Sequence, residues 1–157
     1  MITEIDKRFL LVMRFLMAWT FLYASSHQVF DPNFSVTGFL SHTTTFHWLF
    51  APLTAPAIAP VMSFLVAYGH LAIGLSLLFG CLVRISAPIG AGILFFYWMA
   101  HMTFPFISDH NNLLIDYHIV TLLYIAIKGA GQWVGIDGWL ARQETVRAHP
   151  GMLKVVG

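Results

Sequence analysis

The chain is 157 residues long; 58% of them are apolar and only 10% are charged, against about 25% charged in an average soluble domain. A soluble domain of this size leaves much of its surface in water. So few charges cannot cover that surface, which excludes an ordinary soluble globule, a disordered chain and a disulfide scaffold. Mean hydropathy is +0.75, and the composition is that of a membrane protein. The lone Cys81 excludes an internal disulfide, a CxxC redox pair and any cysteine-based zinc or iron–sulfur site.

A bilayer crossing takes roughly 20 apolar residues, and four stretches qualify in chain order. The first spans 9–30, with Arg14 near its start. Residues 9–23, followed by Ala24-Ser25-Ser26, have the outline of a signal peptide, but Arg14 interrupts the apolar region and the stretch is expected to stay as a helix. A link at 31–59 follows, too long for a simple turn. It carries Phe34, Phe39, Phe46, Trp48 and Phe50, is broken by polar residues at 41–45, and ends its helical potential at Pro52, Pro56 and Pro60. Its aromatics suit an interfacial segment. The plainer reading is an anchored loop, and the functional one is a lid over a cavity opening outward or into lipid.

The second span is 60–82. Only Val83, Arg84 and Ile85 separate it from the third, 86–104, which predicts a tight antiparallel hairpin. A link of about eight residues leads to the fourth span, 112–128. The prediction is an all-α membrane protein: four transmembrane helices in an up-down bundle over residues 1–141, with a cytoplasmic tail at 142–157. Charge placement orients it. Lys7, Arg8 and Arg14 begin span one, Arg84 lies in the second link, and Lys128, Arg142, Arg147 and Lys154 follow span four. The first and third links hold no Lys or Arg. With four spans all eight basic residues fall on one side, so both termini are expected to be cytoplasmic and the long link outside.

Ionisable groups inside a membrane mark function or a buried pair. Here they are Arg14, His27, His70, His101, Asp116 and His118. At 1.5 Å per residue, His27 and His101 fall near the outer surface, Asp116 and His118 in the outer third of span four, and His70 mid-span. Tyr97 and His101 are one turn apart on one face, a phenol and an imidazole suited to hydrogen-bond a quinone carbonyl or relay a proton. Asp116 and His118 point nearly opposite ways on a straight helix. Ala72, Ser76 and Gly80 form a small-residue stripe read as a helix-packing face. Arg14 reads either as a side chain snorkelling to the headgroups or as a buried structural group. No span carries a metal-binding HxxxH or ExxH, and no phosphate loop, nucleophile elbow or basic stripe for nucleic acid occurs.

Three stretches carry a family resemblance. Arg14-Phe15-Leu16 leads to Phe21-Leu22-Tyr23-Ala24-Ser25; Tyr68-Gly69-His70-Leu71-Ala72-Ile73-Gly74 continues through Leu77-Leu78-Phe79-Gly80 to Val83-Arg84; and Gly129-Ala130-Gly131-Gln132-Trp133 precedes Gly135-Ile136-Asp137. In order and spacing these resemble the DoxX/DoxD family of small bacterial and archaeal membrane proteins. Residues 111–118 are also similar to the polar start of the last helix in the DoxD branch. His70 stands where the family commonly has Glu, and His27-Gln28 where a Lys is usual. The resemblance implies a four-helix bundle in a prokaryotic plasma membrane and a subunit of a quinone-linked oxidoreductase, of the kind the DoxD branch supplies to thiosulfate:quinone oxidoreductase.

Together these expectations describe a membrane subunit of a respiratory or sulfur-linked oxidoreductase that binds quinone or relays protons near the outer leaflet. Asp116, His118 and His101 are the candidate catalytic groups, and Tyr97, His101, His70 and His27 the candidate quinone-binding groups. Other membrane-complex subunits and lipid are the expected partners. The rivals are a non-catalytic structural subunit, a bis-histidine haem protein and, disfavoured by the lack of matched broken helices, a transporter.

Overall fold

A computed structural model describes residues 2–105 and 113–156, and of residues 113–116 the backbone only. Among the described residues the chain is mostly helical, without a strand. Helix α1, Glu4–Val29, starts at a capping box in which Thr3 and Asp6 bond each other's backbone N–H. At 26 residues it is about 39 Å long, more than a hydrocarbon core needs. The link folds into two single turns, α2 (Thr37–Leu40) and α3 (His47–Phe50), and a 3₁₀ turn, Ala51–Thr54. Helices α4 (Ala59–Phe79) and α5 (Val83–His101) follow, then α6 (Leu113–Ile127). A 3₁₀ turn at Ala130–Gln132 leads to α7 (Ile136–Leu140), α8 (Glu144–Arg147) and α9 (Pro150–Val156).

Three of these helices, α1, α4 and α5, are long and apolar enough to cross a bilayer, and a shorter apolar helix occupies Tyr117–Ile127. Their outward faces present large apolar side chains to the surroundings, among them Phe9, Leu16, Trp19, Phe64, Ile89 and Phe96. Such a surface suits lipid and not water, and the chain is a multi-pass membrane protein in contact with it. The inward faces meet in one core built on Met17, Phe21, Ile73, Leu77, Leu94 and Leu122.

The hairpin differs from the sequence reading. The turn lies at 80–82, not 83–85, because Gly80 caps α4 at φ +64 and Leu82 also takes a left-handed φ of +56, so α5 begins at Val83. Side by side, α1 packs along α4 and α5 along α6, while α4 meets α5 less extensively. A small residue outside the predicted stripe also sets a close approach. A Cβ on Gly74 would come within 2.8 Å of Leu22 on α1, whereas Ala72 and Ser76 line an apolar groove between α4 and α5. The buried stripe of α4 is therefore Ser63, Ala67, His70, Gly74 and Leu77, while the predicted stripe at 72, 76 and 80 packs on the α5 side, where Ser76 Oγ donates to Ser86 Oγ at 2.6 Å, and ends at Gly80 against Arg14. Residues 142–157, read as a tail, carry α8 and α9. Helix α9 lies against α5 and α7 and buries Val156.

Arg14 is fully buried and does not snorkel. Its Nη1 donates to the carbonyls of Ala130 (2.8 Å) and Trp133 (3.1 Å), and its Nη2 to that of Val134 (2.8 Å). Beside it, the buried Asp137 accepts from the backbone N–H of Leu82 (2.7 Å) and Val83 (3.0 Å), while its own N–H donates to the Gly80 carbonyl. Gly80 has no room for a side chain, since an added Cβ would meet Arg14 Nη1 at 2.6 Å. One arginine and one aspartate thus tie α1, the α4–α5 turn and the segment after α6 together at the basic end of the bundle.

Candidate functional site

The opposite end holds the predicted polar residues. A cavity of about 360 Å³ lies among the C-terminal half of α1, the N-terminal half of α4, the C-terminal half of α5 and the link. Along α5 it sits about 21 Å from the turn at Val83. Its size falls within the range of about 300–1,000 Å³ usual for small-molecule sites. Most of its wall is apolar, with Phe21, Phe34, Val36, Phe39 and Leu94, and its polar groups are Gln28, His70, Tyr97 and His101 with Thr20 and Ser35.

The link reaches the cavity because it has a core of its own. Val36, Leu40 and Phe50 are buried against Ala100, with Met62 and Val66 of α4 packed alongside. The Val36 N–H is held by Ser63 Oγ at 3.1 Å, and Thr44 Oγ1 donates to the Met102 carbonyl at 2.9 Å. This places Phe39 edge-on to Tyr97, with ring centroids 5.7 Å apart, and 4.8 Å from the His101 ring. Both readings of the link hold in part: it is anchored by aromatics, and it also forms one wall of a cavity.

His70 is the deepest of the polar groups, 3% exposed. Its Nδ1 lies 2.7 Å from Gln28 Oε1. An amide oxygen only accepts, so Nδ1 carries the hydrogen and Nε2 is left with its lone pair. That lone pair faces Tyr97 Oη at 3.4 Å, and the phenol donates to it. The separation is longer than the 2.5–3.0 Å of a firm O–H bond, so the phenolic hydrogen is held loosely and can turn to a ligand. His101 Nδ1 donates to the Tyr97 carbonyl at 2.9 Å, which leaves its Nε2 as an acceptor. Gln28, His70 and Tyr97 thus form a chain that fixes one tautomer and ends at a hydroxyl. His101 adds an acceptor one turn further along α5.

Three of the predicted residues, His70, Tyr97 and His101, come together here. His27 does not. It is exposed at the end of α1, its Nδ1 within 3.0 Å of the Tyr23 carbonyl and its ring tilted against Tyr23 with centroids 4.6 Å apart. His118 is half-buried on α6 and is not among the residues lining the cavity. The side chain of Asp116 lies outside the described residues. Gln28 and Phe39 were not singled out as site residues. The signal for Gln28 was available: Arg14, Phe21 and Gln28 recur every seven residues, so Gln28 lies on the inward stripe of α1.

The apolar surface, the inward polar groups and the helix-packed core together define a class: a small α-helical membrane bundle with a cavity near one end. The DoxX family model matches residues 9–103, more than half of the chain, and the protein belongs to that family. The match covers the two stretches around Arg14 and His70, and the third stretch, around Gly129 to Asp137, lies beyond it. Comparison with curated proteins and with solved structures finds no match.

Proposed function

We propose that this protein is a four-span membrane subunit of a quinone-linked oxidoreductase, holding the quinone head in the cavity at the end of the bundle opposite its basic residues. The observation that carries the reading is the Gln28–His70–Tyr97 chain ending in an otherwise apolar cavity. A quinone head needs flat apolar walls and polar partners for its oxygens. Phe21, Phe34 and Phe39 supply the walls, Tyr97 Oη a donor and His101 Nε2 an acceptor. A bound quinone supplies two-electron, two-proton chemistry, and the chain's own task is to place the ring and handle protons. His70, locked by Gln28, presents one lone pair to Tyr97, and His101 accepts a hydrogen from a hydroxyl on the ligand. Asp116 and His118 join the proposal as groups passing protons outward, on their place in the fourth span alone.

The topology belongs to the same proposal. Residues 112–128 form the fourth span, which puts Lys7, Arg8, Arg84, Lys128 and Arg142 on one side of a prokaryotic plasma membrane with both termini cytoplasmic. The family membership supports both parts. The bis-histidine haem reading has less support, because both ring nitrogens of His70 have partners. Equilibrium binding of a short-chain ubiquinone or menaquinone to the purified protein tests the reading. Saturable binding that weakens in Tyr97→Phe and in His101→Leu is expected. Equal binding by wild type and both variants would remove the cavity from the account and leave a structural subunit as the better reading.

A further inference from the structure

We propose a second binding site, at the basic end of the bundle, for the phosphate headgroup of an acidic phospholipid. A groove of about 310 Å³ runs between the first turns of α1 and the segment after α6, lined by Glu4, Lys7, Arg8, Gln132, Trp133 and Arg142 among others. Three cations and one carboxylate face it. Glu4 is already matched, since its Oε1 meets Lys7 Nζ at 2.5 Å, and the same ammonium lies 4.7 Å over the Trp133 ring. Among the described residues the guanidinium groups of Arg8 and Arg142 have no hydrogen bond or ion pair. Two guanidinium groups from distant parts of the sequence therefore converge on one groove with their charge unbalanced.

A guanidinium is a planar fork of N–H donors that fits a pair of phosphate oxygens. The rim argues for a lipid source over a free anion. Ile5 and Phe9 on α1 and Val134 at the groove wall are each about two-thirds exposed or more. They offer apolar surface to acyl chains beside the charged pocket, at the end of a helix long enough to enter the bilayer. The site is independent of the quinone reading, shares no residue with the other cavity, and stands or falls separately.

The test uses the full chain purified in detergent and offered phosphatidylglycerol or phosphatidylcholine in mixed micelles, with retained lipid counted by native mass spectrometry. Wild type should keep phosphatidylglycerol in preference. The double variant Arg8→Gln/Arg142→Gln should keep roughly 10- to 30-fold less, with a wild-type preference that fades as salt rises. Both side chains are exposed, so the variant should retain the wild-type melting temperature. Arg84→Gln, which removes a cation outside the groove, should leave retention unchanged. Equal retention by the double variant would overturn the site. So would an equal loss in Arg84→Gln, which would mean diffuse surface charge. Inorganic phosphate binding as strongly, with no preference between the two lipids, would overturn the lipid assignment.

Discussion

Replacing Arg14 with leucine removes the donor for three carbonyls at once, those of Ala130, Trp133 and Val134. A hydrogen bond to a charged donor contributes about 1.5–3 kcal/mol, but bonds that share one side chain do not add. The carbonyls of Trp133 and Val134 lie in part-exposed surroundings and regain water once the segment loosens. The Asp137 charge, felt at Arg14, also loses its balance, although its two backbone donors remain. A net loss of about 3–5 kcal/mol is expected, in the range found for breaking a buried charged contact. That loss should fall on one place, the docking of residues 129–140 onto α1 and the α4–α5 turn, and not on the α1–α4 or α5–α6 interfaces. The open population of that segment should rise roughly 10²- to 4 × 10³-fold. Limited trypsinolysis at Arg142 in detergent reads this opening directly. A leucine variant cleaved at Arg142 no faster than wild type, with an unchanged melting temperature, would refute the lock and restore the snorkelling role.

Further predictions follow from the same geometry. Gly74→Ala should destabilise the protein by about 1–3 kcal/mol by pushing Leu22 and α1 away from α4, while Gly92→Ala, whose Cβ meets nothing, should be neutral or better in the same melting assay. Asp137→Ala should cost about 2–4 kcal/mol, because it strips the acceptor from two backbone donors and removes part of the support for the left-handed conformation of Leu82. Burial, with the Asp137 charge second, pushes the Cys81 thiol above its ordinary range. The thiolate is therefore scarce at neutral pH, and maleimide labelling should be slow at pH 7 and rise beyond pH 9, with Asp137→Asn moving that rise to lower pH.

The parts of the fold that depend on composition and period were legible in the sequence. The apolar stretches at 9–30, 60–82 and 86–104 correspond to α1, α4 and α5 to within about five residues at each end, because membrane helices announce themselves by length and hydropathy alone. The Tyr97–His101 pair was readable from i, i+4 spacing, and His70 from the rarity of an imidazole mid-span. What was not readable depended on contacts between elements. Whether Arg14 snorkels or is buried is decided by carbonyls more than a hundred residues away. Which small-residue stripe on α4 packs against α1 is decided by where Leu22 of α1 approaches. Phe39 was one aromatic among several in a link, and only the packing of α2 onto Met62 and Val66 makes it a wall of the cavity. His27 was grouped with the site by depth, but depth fixes only one coordinate. Its direction around α1 carries it to the outside, while its neighbour Gln28 points in.

Photolabelling tests the central claim most directly. An azidoquinone bound to the purified protein, cross-linked and mapped by peptide mass spectrometry, should label residues 34–39 and 94–101. That labelling should be displaced by excess unlabelled quinone and reduced in Tyr97→Phe. Labelling spread over the lipid-facing residues of α1 and α4, unaffected by competitor or by the Tyr97 substitution, would contradict a quinone site in this cavity.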